Sequence, residues 1–154
     1  MIAIIFLSII LLLVDQISKL IVIRSIDINQ SIELIKNFFY LTYTHNTGAA
    51  FSILTGQRIF LILIAIVILI ILFNYIRKNK VERKIEKIAF SLIIGGSLGN
   101  LIDRIVRGYV VDFFDVKIFG YNFPVFNVAD TFIVIGVLLL LISLTRKEVK
   151  HDNR

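Results

Sequence analysis

Four stretches of this chain are too long and too apolar for the interior of a small soluble domain, and nothing else in the sequence constrains the fold as strongly. They run over about residues 2–23, 59–76, 88–106 and 128–145. Each is near the ~20 residues that an α-helix needs to cross ~30 Å of hydrocarbon, where every backbone polar group must be satisfied within the segment. With 154 residues, 58% of them hydrophobic, and a mean hydropathy of +0.90, the chain reads as one integral membrane domain over residues 1–154, built on four transmembrane helices. The third stretch is the weakest, because its charge-free part runs only from Ile88 to Ile102. The first lacks the basic n-region and small-residue cleavage site of a secretory signal peptide and carries Asp15 and Lys19, so it is expected to be a retained helix.

A net charge of +6 would suggest nucleic acid in a soluble protein, but here the cations are distributed by segment. Arg77, Lys78, Lys80, Arg83, Lys84 and Lys87 crowd the second connection, and Arg146, Lys147, Lys150 and Arg154 the tail. The connections 24–57 and 107–127 hold only Arg24, Lys36, Arg107 and Lys117. The positive-inside rule then puts both termini in the cytoplasm and the two poorly charged connections outside. The basic excess is a topology signal, with attraction to anionic membrane lipid second, and no nucleic-acid partner is expected. Cysteine is absent, which excludes disulfides and thiol nucleophiles, and the two histidines, His45 and His151, sit in no metal-binding motif. Neither a metal nor an organic cofactor is expected.

The two outer connections carry strand signals. Phe39–Thr44 is aromatic and β-branched, and Tyr109–Phe114 repeats the pattern, with 119–126 as a loop or further strand. Asn46, Thr47 and Gly48 punctuate the first connection, and Ala49–Leu54 is expected to form a short interfacial helix. Together these predict a small extracytoplasmic β-sheet resting on the helical bundle. Internal repeats and the paired broken helices of inverted-repeat transporters are not evident.

Polar residues gather at particular places in the spans. Asp15 and Lys19 stand i, i+4 on the first helix and can pair, an arrangement that reads as a structural ion pair. Ser18 beside Lys19 suggests a serine–lysine protease, but adjacent residues leave a helix on different faces. Ser91, Gly95 and Gly99 form a small-residue stripe on the third span that lets a neighbouring helix approach closely, and the stripe continues to Asp103. The adjacent stripe runs Gly96, Asn100, Arg104. Asn100 and Arg104 fit either helix-end capping or donation to a peptide backbone; Asp103 reads as structural.

Asp112 and Asp130 fall where the third and fourth spans meet water on one side, and carboxylates at the edge of a bilayer are costly. Asp130 alone is explained as an acid in a first helical turn, but Asp112, in a strand among Val and Phe, is not. If the two meet, repulsion in a poorly hydrated site leaves one carboxylate and one acid. That pair can hydrolyse an amide without metal or covalent intermediate: the carboxylate takes a proton from water and the acid polarises the carbonyl. Asp115 is the competing second acid, and reads as a solvated turn residue.

Five blocks, in order, carry a resemblance. Asp15–Lys19 (DQISK), Asn46–Ser52 (NTGAAFS), Gly95–Arg104 (GGSLGNLIDR), Gly108–Phe113 (GYVVDF) and Phe126–Asp130 (FNVAD) are similar to the successive motifs of bacterial lipoprotein signal peptidase, signal peptidase II, over the whole length of the chain. The resemblance implies an aspartic endopeptidase of the bacterial cytoplasmic membrane that cleaves prolipoproteins just before a diacylglyceryl-modified cysteine. It implies a catalytic dyad at Asp112 and Asp130, near the outer face. Asn46, Asn100, Arg104 and Asn127 would line the site and hold substrate or the peptide inhibitor globomycin, while Asp15 and Lys19 match the first motif. The absence of Trp departs from the family's pattern and touches only how the helices are anchored at the interfaces.

Two readings of other classes compete with it. In the first, the aspartates form the ion site of a small membrane ion or solute carrier; in the second, the chain is a noncatalytic subunit that packs by its glycine stripe.

Overall fold

The computed structural model describes residues 1–49 and 53–152. Helices α1 (Ile2–Ser25), α2 (Arg58–Lys78), α3 (Lys84–Val106) and α4 (Val128–Asp152) contain the four expected spans, and in α4 the stretch apolar enough to cross a membrane is Val128–Thr145. The helices outrun the apolar stretches mainly at their basic ends. Arg77 and Lys78 prolong α2 at its C-terminus, where cations are favoured by the helix dipole, and α3 begins four residues before Ile88. Lys and Glu are good helix formers, so hydropathy marks where the membrane stops rather than where the helix does.

The third span, weakest by hydropathy, is the centre of the bundle. Of its apolar window 50% is buried within the protein, against 22%, 11% and 17% for α1, α2 and α4. Residues such as Gly, Ser and Asn lower its hydropathy because it faces helices rather than lipid. Packing is close: a Cβ at Gly95 would stand 2.9 Å from the Ser8 carbonyl oxygen of α1, and one at Gly96 would run into the Ala129 carbonyl of α4. Ser8 and Ser91 stitch α1 to α3 by bonding across to the Ser91 and Ile4 carbonyls at 3.3 and 3.2 Å. Helix α1 is polar on its protein side, with Ser8, Asp15 and Lys19 buried, and apolar outside, where Ile2, Phe6, Ile9, Leu13 and Ile17 are exposed.

At one end of the bundle lies a four-stranded antiparallel sheet in the order β1 (Ser31–Ile35), β2 (Phe39–Asn46), β3 (Val110–Ile118), β4 (Tyr121–Asn122). Strands β2 and β3 are the two expected from the sequence, each longer than expected, and residues 119–126 supply a two-residue strand plus loop. Strand β1 was not expected, since its five residues are all exposed and show no buried alternation. Tyr43, Val111 and Phe113 pack on Val22 and Ile26, and so fix the sheet to the C-terminal end of α1. The register of β2 against β3 slips between Leu41 and Thr44, a β-bulge in which Thr42 and Tyr43 oppose Phe113. Of the helix expected over Ala49–Leu54, residues 50–52 lie outside the described residues, and Ile53 and Leu54 lie in a turn.

Candidate active site

The sheet end of the bundle is where β3 leaves α3 and where α4 begins, and this is what brings Asp112 and Asp130 together. Asn127 is the N-cap of α4: its side-chain oxygen accepts the Asp130 N–H at 2.9 Å, while the Asp130 carboxylate accepts the Asn127 N–H at 3.1 Å. This reciprocal capping box satisfies two backbone donors and fixes the Asp130 side chain in the first helical turn. The Asn127 amide then donates outward, to Asp112 at 2.7 Å and to the Asn100 side-chain oxygen at 3.2 Å. One residue thus grips both carboxyls, one through its backbone and the other through its side chain.

Each carboxyl has a second amide. Asn46, at the end of β2, donates to the other Asp112 oxygen at 2.8 Å, and Asn100 of α3 donates to Asp130 at 2.7 Å. Asn46 is itself oriented by accepting the Gly48 N–H at 2.9 Å. Asp112 is 2% exposed, whereas Asp130 keeps part of its surface open. Burial pushes the Asp112 carboxyl up to about 7; the negative charge of Asp130 adds to the rise, and the hydrogen bonds from Asn46 and Asn127 oppose it.

Below the dyad lies an ion network whose centre, Asp15, Lys19 and Asp103, has no exposed surface. The Lys19 ammonium donates to Asp15 at 2.9 Å, to Asp103 at 2.9 Å and to Asn100 at 3.0 Å, which uses all three of its hydrogens. Asp15 also accepts the Ala129 N–H at 3.0 Å, so it caps α4 from another helix, and Gly99 leaves the space for its carboxylate, where a Cβ would collide. Asp103 is the hub: besides Lys19 it accepts from Gln16 at 3.2 Å, from the Val111 N–H at 3.2 Å and from Arg107. The pairing of Asp15 with Lys19 is as the sequence suggests, but Gln16, Asp103 and Arg107 belong to the same network. Their ordinary helix positions gave no signal beyond the spacing of Asp103 on the glycine stripe.

Arg104 and Asp115 sit apart from the two acids' hydrogen bonds. Arg104 bonds the Asn100 carbonyl at 3.2 Å and, across to the first connection, the Gly48 carbonyl at 2.9 Å. Asp115 is not in a turn: it lies within β3 and accepts from Thr42 at 2.8 Å. Among the described residues no three Asp, Glu or His side chains converge as metal ligands.

The chain is similar to known proteins over most of its length. The family model described as Signal peptidase (SPase) II matches residues 7–146. The lipoprotein signal peptidase of Staphylococcus haemolyticus (strain JCSC1435) is 45% identical over 139 residues, which cover 90% of this chain and 88% of that protein. Its counterpart in Staphylococcus aureus (strain Newman) is 41% identical over 153 residues, 95% and 94% of the respective chains. Two solved bacterial membrane enzymes, both obtained by the in meso method, share the fold. The first has a TM-score of 0.87 at 40% identity over 94% of this chain and 88% of that one; the second has 0.82 at 41% over 92% and 91%.

Proposed function

The chain belongs to the signal peptidase II family of membrane proteases that remove signal peptides from lipoproteins, and from that premise we propose that Asp112 and Asp130 are its catalytic dyad. The observation that carries this reading is Asn127, whose side chain and backbone hold the two carboxyls around one point while leaving Asp130 partly open to water. One carboxylate removes a proton from water, which adds to the scissile carbonyl, and the neutral acid protonates the carbonyl oxygen. On collapse of the tetrahedral intermediate the acid recovers its proton and the base hands the other to the departing amine, which regenerates both groups.

The bond cut is the one before a cysteine carrying a diacylglyceryl group. The precursor's signal helix lies among the spans, its acyl chains stay in membrane lipid, and the scissile bond reaches the dyad at the bilayer edge. Asn46, Asn100 and Asn127 orient the acids and the peptide, Arg104 holds the first connection over the site, and Asp15 and Lys19 support the groove from below. The basic connection between α2 and α3 and the basic tail favour cytoplasmic termini, which puts the sheet and the dyad at the outer face of the cytoplasmic membrane. Globomycin-type peptides would compete for the same groove. The carrier reading finds less support in the geometry: each acid is held by two amide donors, an arrangement suited to orienting proton transfer rather than to coordinating an ion.

The deciding experiment incubates purified protein with a diacylglyceryl-modified precursor and with its unmodified counterpart. Cleavage of the lipidated form alone, abolished by Asp112→Asn and by Asp130→Asn and blocked by globomycin, is the expected result. Undiminished cleavage by either variant refutes the dyad.

A further inference from the structure

Resting on the dyad proposed above, we infer that Lys19 is a positioning residue that makes Asp130 the base and Asp112 the acid by fixing which way the Asn100 amide faces. An ammonium has three hydrogens to give and no lone pair to accept with, so the Asn100 atom 3.0 Å from Lys19 has to be the oxygen. The Asn100 NH₂ group then points the other way, where it donates to Asp130 at 2.7 Å. Reversed, the amide would set an oxygen against the Asp130 carboxylate, and only a proton on Asp130 would make that contact favourable. Lys19 thus selects the ionised form of an acid it does not touch.

The same constraint passes to Asn127. Its NH₂ group donates to the Asn100 oxygen at 3.2 Å and to Asp112 at 2.7 Å, so its own oxygen is left for the Asp130 N–H at 2.9 Å. Both Asp130 oxygens therefore face donors, at the positive end of α4, in a partly open position. Asp112 also faces two donors, from Asn127 at 2.7 Å and Asn46 at 2.8 Å, but it has no helix terminus and is 2% exposed, so what separates the acids is the helix end and the open position of Asp130, and the shared proton stays with Asp112. Burial, which holds Asp112 near 7, is consistent with that assignment.

The charged groups around this relay are few. Lys19 is faced by Asp15 from α1 and by Asp103 from α3, the latter also paired with Arg107; the dyad is faced by Arg104 from α3 and, at longer range, by the charge of Lys19 itself. A fair test must keep their sum constant. The double variant Lys19→Met/Asp15→Asn removes one cation and one anion, leaves Asp103 its Arg107, and keeps an oxygen to accept the Ala129 N–H.

Full-length protein in detergent micelles, supplied with lipidated precursor, is assayed for kcat against pH, and the double variant is compared with the wild type, which carries the same net charge, with Asp15→Asn alone as the control for loss of that carboxylate. The expected result is a fall in kcat of about 10- to 100-fold at neutral pH, with the acid limb of the profile moved to higher pH and the bell narrowed. Asn100→Leu removes the donor facing Asp130 without changing the charge, so it is expected to move the same limb, and it serves if the double variant does not fold. A uniform loss with both limbs in place, or no loss, overturns the role of Lys19. Cleavage that survives Asp130→Asn overturns the dyad, and the inference with it; loss in Asp130→Asn beside an unmoved limb in the double variant overturns the inference alone.

Discussion

A single methyl group placed between α3 and α4 is expected to uncouple stability from catalysis in a position-dependent way. At Gly96 an added Cβ falls well inside contact distance of the Ala129 carbonyl and 2.9 Å from the Ile133 side chain; the first is backbone and cannot swing aside. At Gly136, in the next turns of α4, the Cβ meets the Ala89 carbonyl at 2.8 Å and Ile93 at 2.7 Å. Either alanine must push the helices apart, and overpacking of this kind costs about 1–3 kcal/mol. Gly96→Ala levers on the residue beside Asp130, in the turn that Asn127 and Asp15 cap. Gly136→Ala levers on a part of α4 nearly two turns away from the dyad. Misplacing a reacting group by about 1 Å costs about 100-fold in rate, so Gly96→Ala should lose about two orders of magnitude in kcat and Gly136→Ala far less, at similar cost in stability. Thermal melts followed by circular dichroism in micelles give the first quantity, and turnover of lipidated precursor gives the second. Equal kcat losses in the two variants, or wild-type kcat in Gly96→Ala, would refute the claim that the α3–α4 contact sets the geometry of the dyad.

Other variants probe single parts of the site. Burial holds Asp112 near 7, above its ordinary value of 3.8, so the folded protein keeps a proton that the unfolded chain has released between those pH values, and stability falls as pH rises through that window. Asp112→Asn should accordingly melt above the wild type at pH 8, with the advantage fading toward pH 4; a wild type that gains on the variant as pH rises contradicts this. Asn127→Ala removes an N-cap and should lower stability by about 1 kcal/mol along with activity. Asn127→Ser should recover the cap but not the turnover, because one hydroxyl cannot donate to both Asp112 and Asn100, and recovery of both would show that the cap alone matters. Lys19→Met leaves Asp15 buried without a cation and should cost about 3–5 kcal/mol in the same melts, most of it regained in Lys19→Met/Asp15→Asn.

What could be read from the sequence was whatever depends on near neighbours in the chain. The spans follow from runs of apolar residues, the pairing of Asp15 with Lys19 from a spacing of four, and β2 and β3 from their aromatic and β-branched residues. The glycine stripe on α3 is equally local, and the structure puts Gly95 and Gly99 against α1 and Gly96 against α4. What stayed hidden depends on contacts between distant segments. Asp103 was read as structural, but nothing in its surroundings tells that Lys19, Gln16 and Arg107 converge on it; and Asp115 looks like a turn residue until β3 is seen to run past it to Ile118. Strand β1 offers only the short alternation Ser31-Ile32-Glu33-Leu34, is exposed throughout and is held by its pairing with β2. The grip of Asn127 on both acids combines a local capping signal with two long-range bonds, and only the first is written near it in the chain.

The bulge in β2 shows how much rests on one of these nonlocal details. Carried on regularly from Leu41 opposite Phe114, the pairing would set Tyr43 opposite Asp112, and the side chains flanking the acid on that face would be those of Leu41 and His45. Because Thr42 and Tyr43 share one partner, the register moves by one residue: Thr44 faces Asp112 and Asn46 lies diagonally beside it, 2.8 Å from its carboxyl. Tyr43 turns instead into the apolar cluster with Val22 and Ile26 that anchors the sheet to α1. A single extra residue in the strand therefore does two things at once, supplying Asp112 with an amide donor and seating the sheet on the helix that carries Lys19. The capping box does the equivalent for Asp130 from the other side. The two acids owe their positions to unrelated devices, strand register and helix capping, and they meet because β3 and α4 both start from the same end of a bundle drawn tight around α3.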